Sequence, residues 1–213
     1  MKTIKKIIII TIGFLTFWLI LTLFVEKKGP EYTMNIGQSK NNQKALILFD
    51  PDPFYNLDKQ ISNSFAQGLA EKGWVSKISS IASAKNLEDE QFDLYVFCAN
   101  TYNWTPDWAL SNYIKKHGQL KGKNVVAITL GSGSTNRSKR ILENLIKLKE
   151  ANLIDSKVFW LMRPNDESKM NESNVKVAVE MANNFGKQIA QSFENDKIVN
   201  KYFTKTENNH MPN

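Results

Sequence analysis

The stretch Phe92–Asn136, FDLYVFCANTYNWTPDWALSNYIKKHGQLKGKNVVAITLGSGSTN, decides the fold. It contains two short buried-strand patterns, Asp93–Ala99 and Lys123–Leu130, each ending in a polar loop. Runs of this length, apolar almost throughout, read as strands buried on both faces, the habit of parallel sheets. The two loops differ in kind. Asn100–Trp108 sets Tyr102, Trp104 and Trp108 among amides and hydroxyls, whereas Gly131–Asn136 is small and polar and offers mostly backbone N–H groups. Ligands of open α/β sheets bind at such strand ends, and these two loops together can hold a flat ring by its face and its edges.

Outward from this stretch, strand-like and helix-like segments alternate. Lys44–Phe49 (KALILF) is a continuous apolar run, and Leu57, Ile61, Phe65 and Leu69 then recur at spacing four on a helix that stops at Gly73. Trp74–Ile78 mixes polar and apolar residues, as a half-exposed edge strand does, and Ser79–Gln91 leaves room for a short helix at most. Thr105-Pro106 is an N-cap and N1 pair that opens a helix through Lys116. Ile141, Leu145 and Leu148 mark the next helix and Lys157–Met162 (KVFWLM) the next strand. Ala178, Ala182, Phe185, Ile189 and Phe193 stripe a long final helix.

Five strands alternating with helices predict an α/β fold, a parallel sheet covered on both faces. Right-handed crossovers and an edge-like second strand favour the order 2-1-3-4-5. In that order Asp50–Asn56, Asn100–Trp108 and Gly131–Asn136 converge at the switch point.

The ends of the chain are of another kind. Ile7–Val25, IIIITIGFLTFWLILTLFV, carries no charge and as a helix is long enough to cross a hydrocarbon core of roughly 30 Å. Residues 1–25 are therefore expected to be a membrane anchor in contact with lipid through residues 7–25. Phe24–Pro30 offers no small-x-small cleavage site, which argues against a removed signal peptide. Lys2, Lys5 and Lys6 before the span favour a cytoplasmic N-terminus and an extracytoplasmic globular part. Residues 26–42, with Gly29, Pro30, Gly37 and a polar run, read as a linker; residues 43–195 read as the domain and 196–213 as a frayed polar tail.

The net charge is +7, of which Lys2, Lys5 and Lys6 supply three, leaving a mild +4 on the rest. Positive and negative residues are interspersed apart from the short run Lys115–Lys123, so no nucleic-acid partner is expected. One cysteine, Cys98, excludes an intrachain disulfide, and with only His117 and His210 there is no Cys/His zinc site. Cys98 lies within LYVFCA and reads as a small buried hydrophobe.

The layout, KALILF followed by AQGLAEKG (Ala66–Gly73), then NTYNWTPDWAL and LKGKNVVAITLGSGS, resembles the flavodoxin-like superfamily of flavodoxins and NAD(P)H-dependent FMN and quinone reductases. The resemblance implies a three-layer sandwich and FMN as cofactor. It places Tyr102, Asn103 and Trp104 beside the isoalloxazine and Gly131, Ser132 and Gly133 on its other side, with polar contacts from Asn100, Thr101 and Asn103 and from Gly131 through Ser134 to Thr135. The implied activity is electron transfer or FMN-dependent oxidoreduction; on the extracytoplasmic side, where there is little NAD(P)H, a quinone or a redox partner protein is the expected electron source.

The first loop departs from that pattern. Flavodoxins carry a Ser/Thr/Gly-rich phosphate turn where this chain reads DPDPFYNLDKQ. Pro51 and Pro53 lack N–H donors, and Asp50 and Asp52 bring negative charge toward a dianion. Each unit pair at about 4 Å costs on the order of 1 kcal/mol in water and about 4 at an effective dielectric of 20. A helix dipole returns only roughly 0.3–1 kcal/mol. Phosphate binding then requires these side chains to turn away while Asn56, nearby N–H groups and Lys59 supply the cradle. The alternatives are a cofactor-free binding module at the membrane, favoured by the DPDP turn, and a Mg-dependent phosphohydrolase using Asp50 and Asp52. Receiver chemistry lacks an Asp at the third strand's end, and Gly131–Thr135 lacks the lysine of a P-loop.

Overall fold

A computed structural model describes residues 2–38, 43–87, 90–116 and 120–208, with side chains described up to residue 195 except at residues 2 and 86. Helix α1 (Lys2–Val25) leads through β1 (Thr33–Ile36) into β2 (Lys44–Phe49), α2 (Leu57–Ala70) and β3 (Val75–Ser80). Then follow β4 (Leu94–Ala99), a small hairpin of β5 (Thr101–Tyr102) and β6 (Thr105–Pro106), and α3 (Trp108–Lys116). The chain continues with β7 (Asn124–Gly131), α4 (Asn136–Leu148), β8 (Asn152–Trp160) and α5 (Asn174–Asn208). The main sheet runs β1-β3-β2-β4-β7-β8, with β1 antiparallel to β3 and every other pair parallel.

The period of two along each strand divides the core. Ala45, Ile47 and Phe49 of β2 pack with Ile61, Phe65 and Leu69 of α2 and Ala178, Ala182 and Phe185 of α5. Leu46 and Leu48 face the opposite way, toward Leu110 and Ile114 of α3 and Leu142 and Ile146 of α4. Cys98 is buried in the first of these layers, and burial pushes its thiol far above the ordinary range, which leaves it an inert packing group.

Helices α2 and α5 approach until their backbones touch. A Cβ on Gly68 would lie 2.0 Å from the Asn183 carbonyl oxygen, and one on Gly186 would lie 2.2 Å from that of Phe65. The Phe65 and Phe185 rings meet edge to face beside this crossing, at 5.4 Å between centroids.

Several expectations are corrected. The sheet has six strands rather than five, because residues 26–42 are not simply a linker: Thr33–Ile36 adds an antiparallel edge strand. Four residues with polar flanks give no readable alternation, so the strand is specified by its pairing with β3 rather than by its own sequence. β3, expected at an edge, is consequently covered on both sides. The helix expected from Thr105 begins at Trp108, and Thr105-Pro106 instead forms a hairpin strand. Asp107 is the true cap: its Oδ1 accepts the Leu110 N–H at 2.8 Å. Backbone helix continues through residues 196–208, where a frayed tail is expected, while residues 39–42 of the linker and 209–213 of the tail, and both histidines, lie outside the described residues.

Candidate functional site

The ends of β2, β4 and β7 stand side by side, and the loops that leave them enclose a cavity of about 260 Å³. Phe54 and Tyr55 line it from the first loop, Thr101 and Tyr102 from the second, Gly131 and Ser132 from the third. Leu161 and Met162, which follow β8, close the far wall. Beyond Tyr55 a shallower hollow of about 510 Å³ includes Asn56, Gln60 and Val175.

The floor beside this cavity is held by carboxylates that grip the chain's own donors. Asp52 Oδ1 accepts the backbone N–H groups of Phe54 and Tyr55, each at 2.7 Å, and its Oδ2 accepts the Tyr102 hydroxyl. Asp58, in the first turn of α2, accepts the Asp52 N–H at 2.7 Å and the Asn100 side-chain amide at 3.1 Å through Oδ2. The same Asn100 amide donates to the Asp50 carbonyl at 2.9 Å. Asp50 Oδ1 accepts the Gly29 N–H at 3.0 Å, and Asp107 Oδ2 accepts the Asn100 N–H at 3.0 Å. Glu26, just beyond α1, reaches in to accept the Trp108 N–H at 2.7 Å at the start of α3.

Four of these acids, Glu26, Asp50, Asp58 and Asp107, are buried closely enough together to resist ionisation. Burial pushes the Glu26 carboxyl up to about 7, with Asp50 adding to the rise and the Trp108 N–H opposing it. Burial likewise raises Asp50 to about 6 and lifts Asp58 and, most strongly, Asp107. Burial and then the bond to Asp52 push the Tyr102 phenol upward too.

A carboxyl whose folded value is raised contributes stability that is complete below its unfolded value and lost as the pH climbs through the folded one. For Glu26 that window runs from 4.5 to about 7, and its share is about 3 kcal/mol at most. Glu26→Gln is therefore expected to match the parent near pH 5 and exceed it by about 1–3 kcal/mol at pH 8. Denaturant unfolding of the full chain in detergent at both pH values checks this; parallel pH profiles for parent and variant would contradict it.

The sequence-derived site residues divide into three groups. Asn100, Thr101, Tyr102, Gly131 and Ser132 meet at the cavity. Asn103, Trp104 and Ser134 lie on the other side of the hairpin, in a second hollow of about 220 Å³ shared with Trp18 of α1. Asn103 and Trp104 take left-handed backbone angles, φ 47° and 60°, at the tip of the hairpin. The third group, Thr135, Gly133 and Asn56, lines neither of these two spaces. Thr135 is buried and its hydroxyl accepts the Trp160 indole N–H at 2.9 Å; Gly133 lies against Arg163, and Asn56 accepts the Gln60 side-chain amide. Asp58, Asp107, Glu26, Leu161 and Met162 escape the sequence reading. An acid in the first turn of α2 and another directly before Trp108 are the signals that could have flagged two of them, since both positions favour acids that cap helices.

FMN fits this site in part. The cavity offers an aromatic face at Tyr102 and backbone groups at Gly131 and Ser132 suited to a flat ring. The phosphate half does not fit, because the Asp52, Phe54 and Tyr55 N–H groups that would cradle it are already bonded to Asp58 and Asp52. Lys59, the expected counter-cation, instead lies over the Tyr32 ring at 4.3 Å. Asp50 and Asp52 do not converge on a cation either: their oxygens hold N–H and O–H donors, and no metal-ligating cluster occurs among the described residues.

No protein-family model and no curated protein matches the chain. Among solved structures it is similar to a short-chain flavodoxin associated with a non-canonical PDU bacterial microcompartment, at 15% identity and TM-score 0.53 over 70% of this chain and 98% of that one. It is also similar to a flavodoxin, a WrbA-like protein from Agrobacterium tumefaciens, at 12% identity and TM-score 0.50 over 70% and 96% of the two chains. Rubredoxin oxygen:oxidoreductase from Desulfovibrio gigas matches at 12% identity and TM-score 0.53 over 74% of this chain and 37% of that one. At such identities the likeness speaks for the fold and not for the chemistry of the loops. Helices on both faces of a mostly parallel sheet, together with these neighbours, give the chain a flavodoxin-like fold.

Proposed function

We propose that this chain is a membrane-anchored flavodoxin-like module that binds a flat, uncharged ring, of the quinone or dephosphorylated-flavin class, in the cavity between the β2, β4 and β7 loops. The observation that carries the reading is the carboxylate-filled phosphate turn beside an open, largely apolar cavity. A neutral ring keeps the stacking surface of Tyr102 and the backbone groups of Gly131 and Ser132 without placing a dianion against Asp50, Asp52 and Asp58. One helix, Thr3–Val25, is long and apolar enough to cross a membrane, and its basic N-terminal flank favours the domain on the extracytoplasmic side.

A second reading is FMN-dependent electron transfer, favoured by the likeness of fold to flavodoxins and by the ring-sized aromatic cavity. It requires Asp52 to release the Phe54 and Tyr55 N–H groups. The two readings part in a thermal-shift experiment on the full chain in detergent. Riboflavin, which is the same ring without the phosphate, is expected to raise the unfolding midpoint more than FMN at equal concentration. A larger shift with FMN supports the second reading and overturns the first.

A further inference from the structure

The end of α1 is tied to the loops that surround the cavity. The Asn103 side-chain amide donates to the Thr22 hydroxyl at 3.1 Å, the Phe24 and Phe54 rings lie 5.5 Å apart, and Glu26 holds the start of α3. Trp18, about two turns or 10 Å before Val25, shares a hollow with Thr101, Asn103, Trp104, Ser132 and Ser134. The loop tips therefore flank the last turns of the apolar helix.

The same edge of the domain carries an apolar rim. Phe54, Tyr55, Trp104, Trp108 and Met162 are 45–70% exposed. Outside α1 and among the described residues, the remaining exposed large hydrophobics are only Met34, Leu148 and Met170. Single exposed apolar residues are ordinary; five gathered on the loops of one sheet edge, around the exit of a membrane-length helix, are not scatter. Exposed basic residues stand beside them: Lys27 and Lys28 directly after α1, Arg137 in the first turn of α4, and Arg163, whose guanidinium lies 4.6 Å over the Trp160 ring. Amphipathic aromatics at headgroup level with neighbouring cations are what a bilayer interface binds.

We propose that the loops at this edge dock onto the bilayer that α1 enters, with the β5–β6 tip in the interface, so that the cavity opens toward the membrane and takes its ligand from the lipid phase. This rests on α1 being an uncleaved anchor. The occupant of the rim is the lipid surface, because α1 places that surface there and the rim supplies its aromatic and basic partners. The cavity mouth, walled by Phe54, Tyr55 and Met162, then faces acyl chains rather than water. A lipid-soluble ring would reach it without crossing the aqueous phase.

The test places nitroxide labels on the full chain in vesicles of phosphatidylcholine and phosphatidylglycerol, through Trp104→Cys, Met162→Cys, Phe14→Cys and Lys121→Cys. Cys98 is fully buried and stays unlabelled. Lys121 precedes β7 and so marks the opposite pole of the sheet. Collision with oxygen reports lipid, and collision with a water-soluble nickel chelate reports solvent. The expected oxygen-to-nickel ratio at 104 and 162 exceeds that at 121 by about tenfold and approaches that at 14. If 104 and 162 match 121 while 14 remains lipid-like, the docking proposal is overturned and the anchor stands. If 14 is nickel-accessible as well, the anchor reading itself is overturned.

Discussion

Asp58→Ala is expected to destabilise the full chain by about 2–4 kcal/mol, the cost of stranding two or more buried donors. The side chain is 1% exposed and accepts the Asp52 N–H and the Asn100 amide, with the Lys59 N–H on its other oxygen. Removing it frees the Asp52 turn and leaves the Asn100 side-chain amide with only the Asp50 carbonyl as acceptor. Burial already disfavours the charged form of Asp58, so part of the loss is recovered as relief of desolvation, and the figure stays below the sum of the broken bonds. Asp58→Asn keeps one acceptor and turns a second donor toward donors, so it should fall between parent and alanine. Urea unfolding in detergent measures both. A change within about 0.5 kcal/mol for the alanine variant, the range of ordinary surface substitutions, would mean that Asp58 does not hold the loop.

The second large effect belongs to the α2–α5 crossing. Gly68→Ala adds a methyl where 2.0 Å separates its position from the Asn183 carbonyl, a backbone atom that cannot swing aside. On helix propensity alone alanine would stabilise by about 1 kcal/mol. Forcing two packed helices apart costs typically 1–3 kcal/mol and more when backbone is the obstacle, and it disturbs the Phe65–Phe185 contact and the Ser64 hydroxyl bond to the Val179 carbonyl. The expected net loss is about 2–4 kcal/mol, with Gly186→Ala similar. Because α2 begins at Leu57, a shift of this helix also moves Asp58 and loosens the turn at Asp52 that Asp58 holds. Stabilisation of either variant would refute the close crossing.

The fold is legible wherever burial on both faces writes an uninterrupted apolar run. KALILF, LYVFCA and NVVAITLG announce β2, β4 and β7 because no solvent-facing residue breaks them. Strands at the margins are harder to read. β1 has mostly exposed side chains, and β8 carries Asp155, Ser156 and Lys157 in its middle, so only its last part resembles a strand. Their places depend on partners distant in sequence, which local pattern does not encode.

The site is legible to a different extent. The convergence of three loops follows from topology, and the conflict of Asp50 and Asp52 with a phosphate follows from charge. What local sequence does not convey is the resolution of that conflict: Asp52 turns inward onto the N–H groups of its own loop and Asp58 takes the Asp52 N–H. The contact of Glu26 with Trp108 spans 82 residues, and nothing in either neighbourhood foretells it. Trp104 illustrates the limit of reading aromatics as stacking groups, since it lines the hollow shared with Trp18 of α1 and not the cavity.

The self-bonded turn from Asp52 to Tyr55 is tested most directly by the dissociation constants of FMN and riboflavin for the full chain, read from flavin fluorescence quenching at pH 8.0 and 5.5. At pH 8.0, above the raised values of Glu26 and Asp50, the phosphate comes under the field of these two ionised acids, and FMN is expected to bind at least about tenfold more weakly than riboflavin, as about 1.4 kcal/mol of repulsion gives. At pH 5.5, below the raised values of Glu26 near 7 and Asp50 near 6, the gap should narrow. FMN binding more tightly than riboflavin at pH 8.0 would contradict the account, because the phosphate would then have found donors that Asp52 and Asp58 hold here.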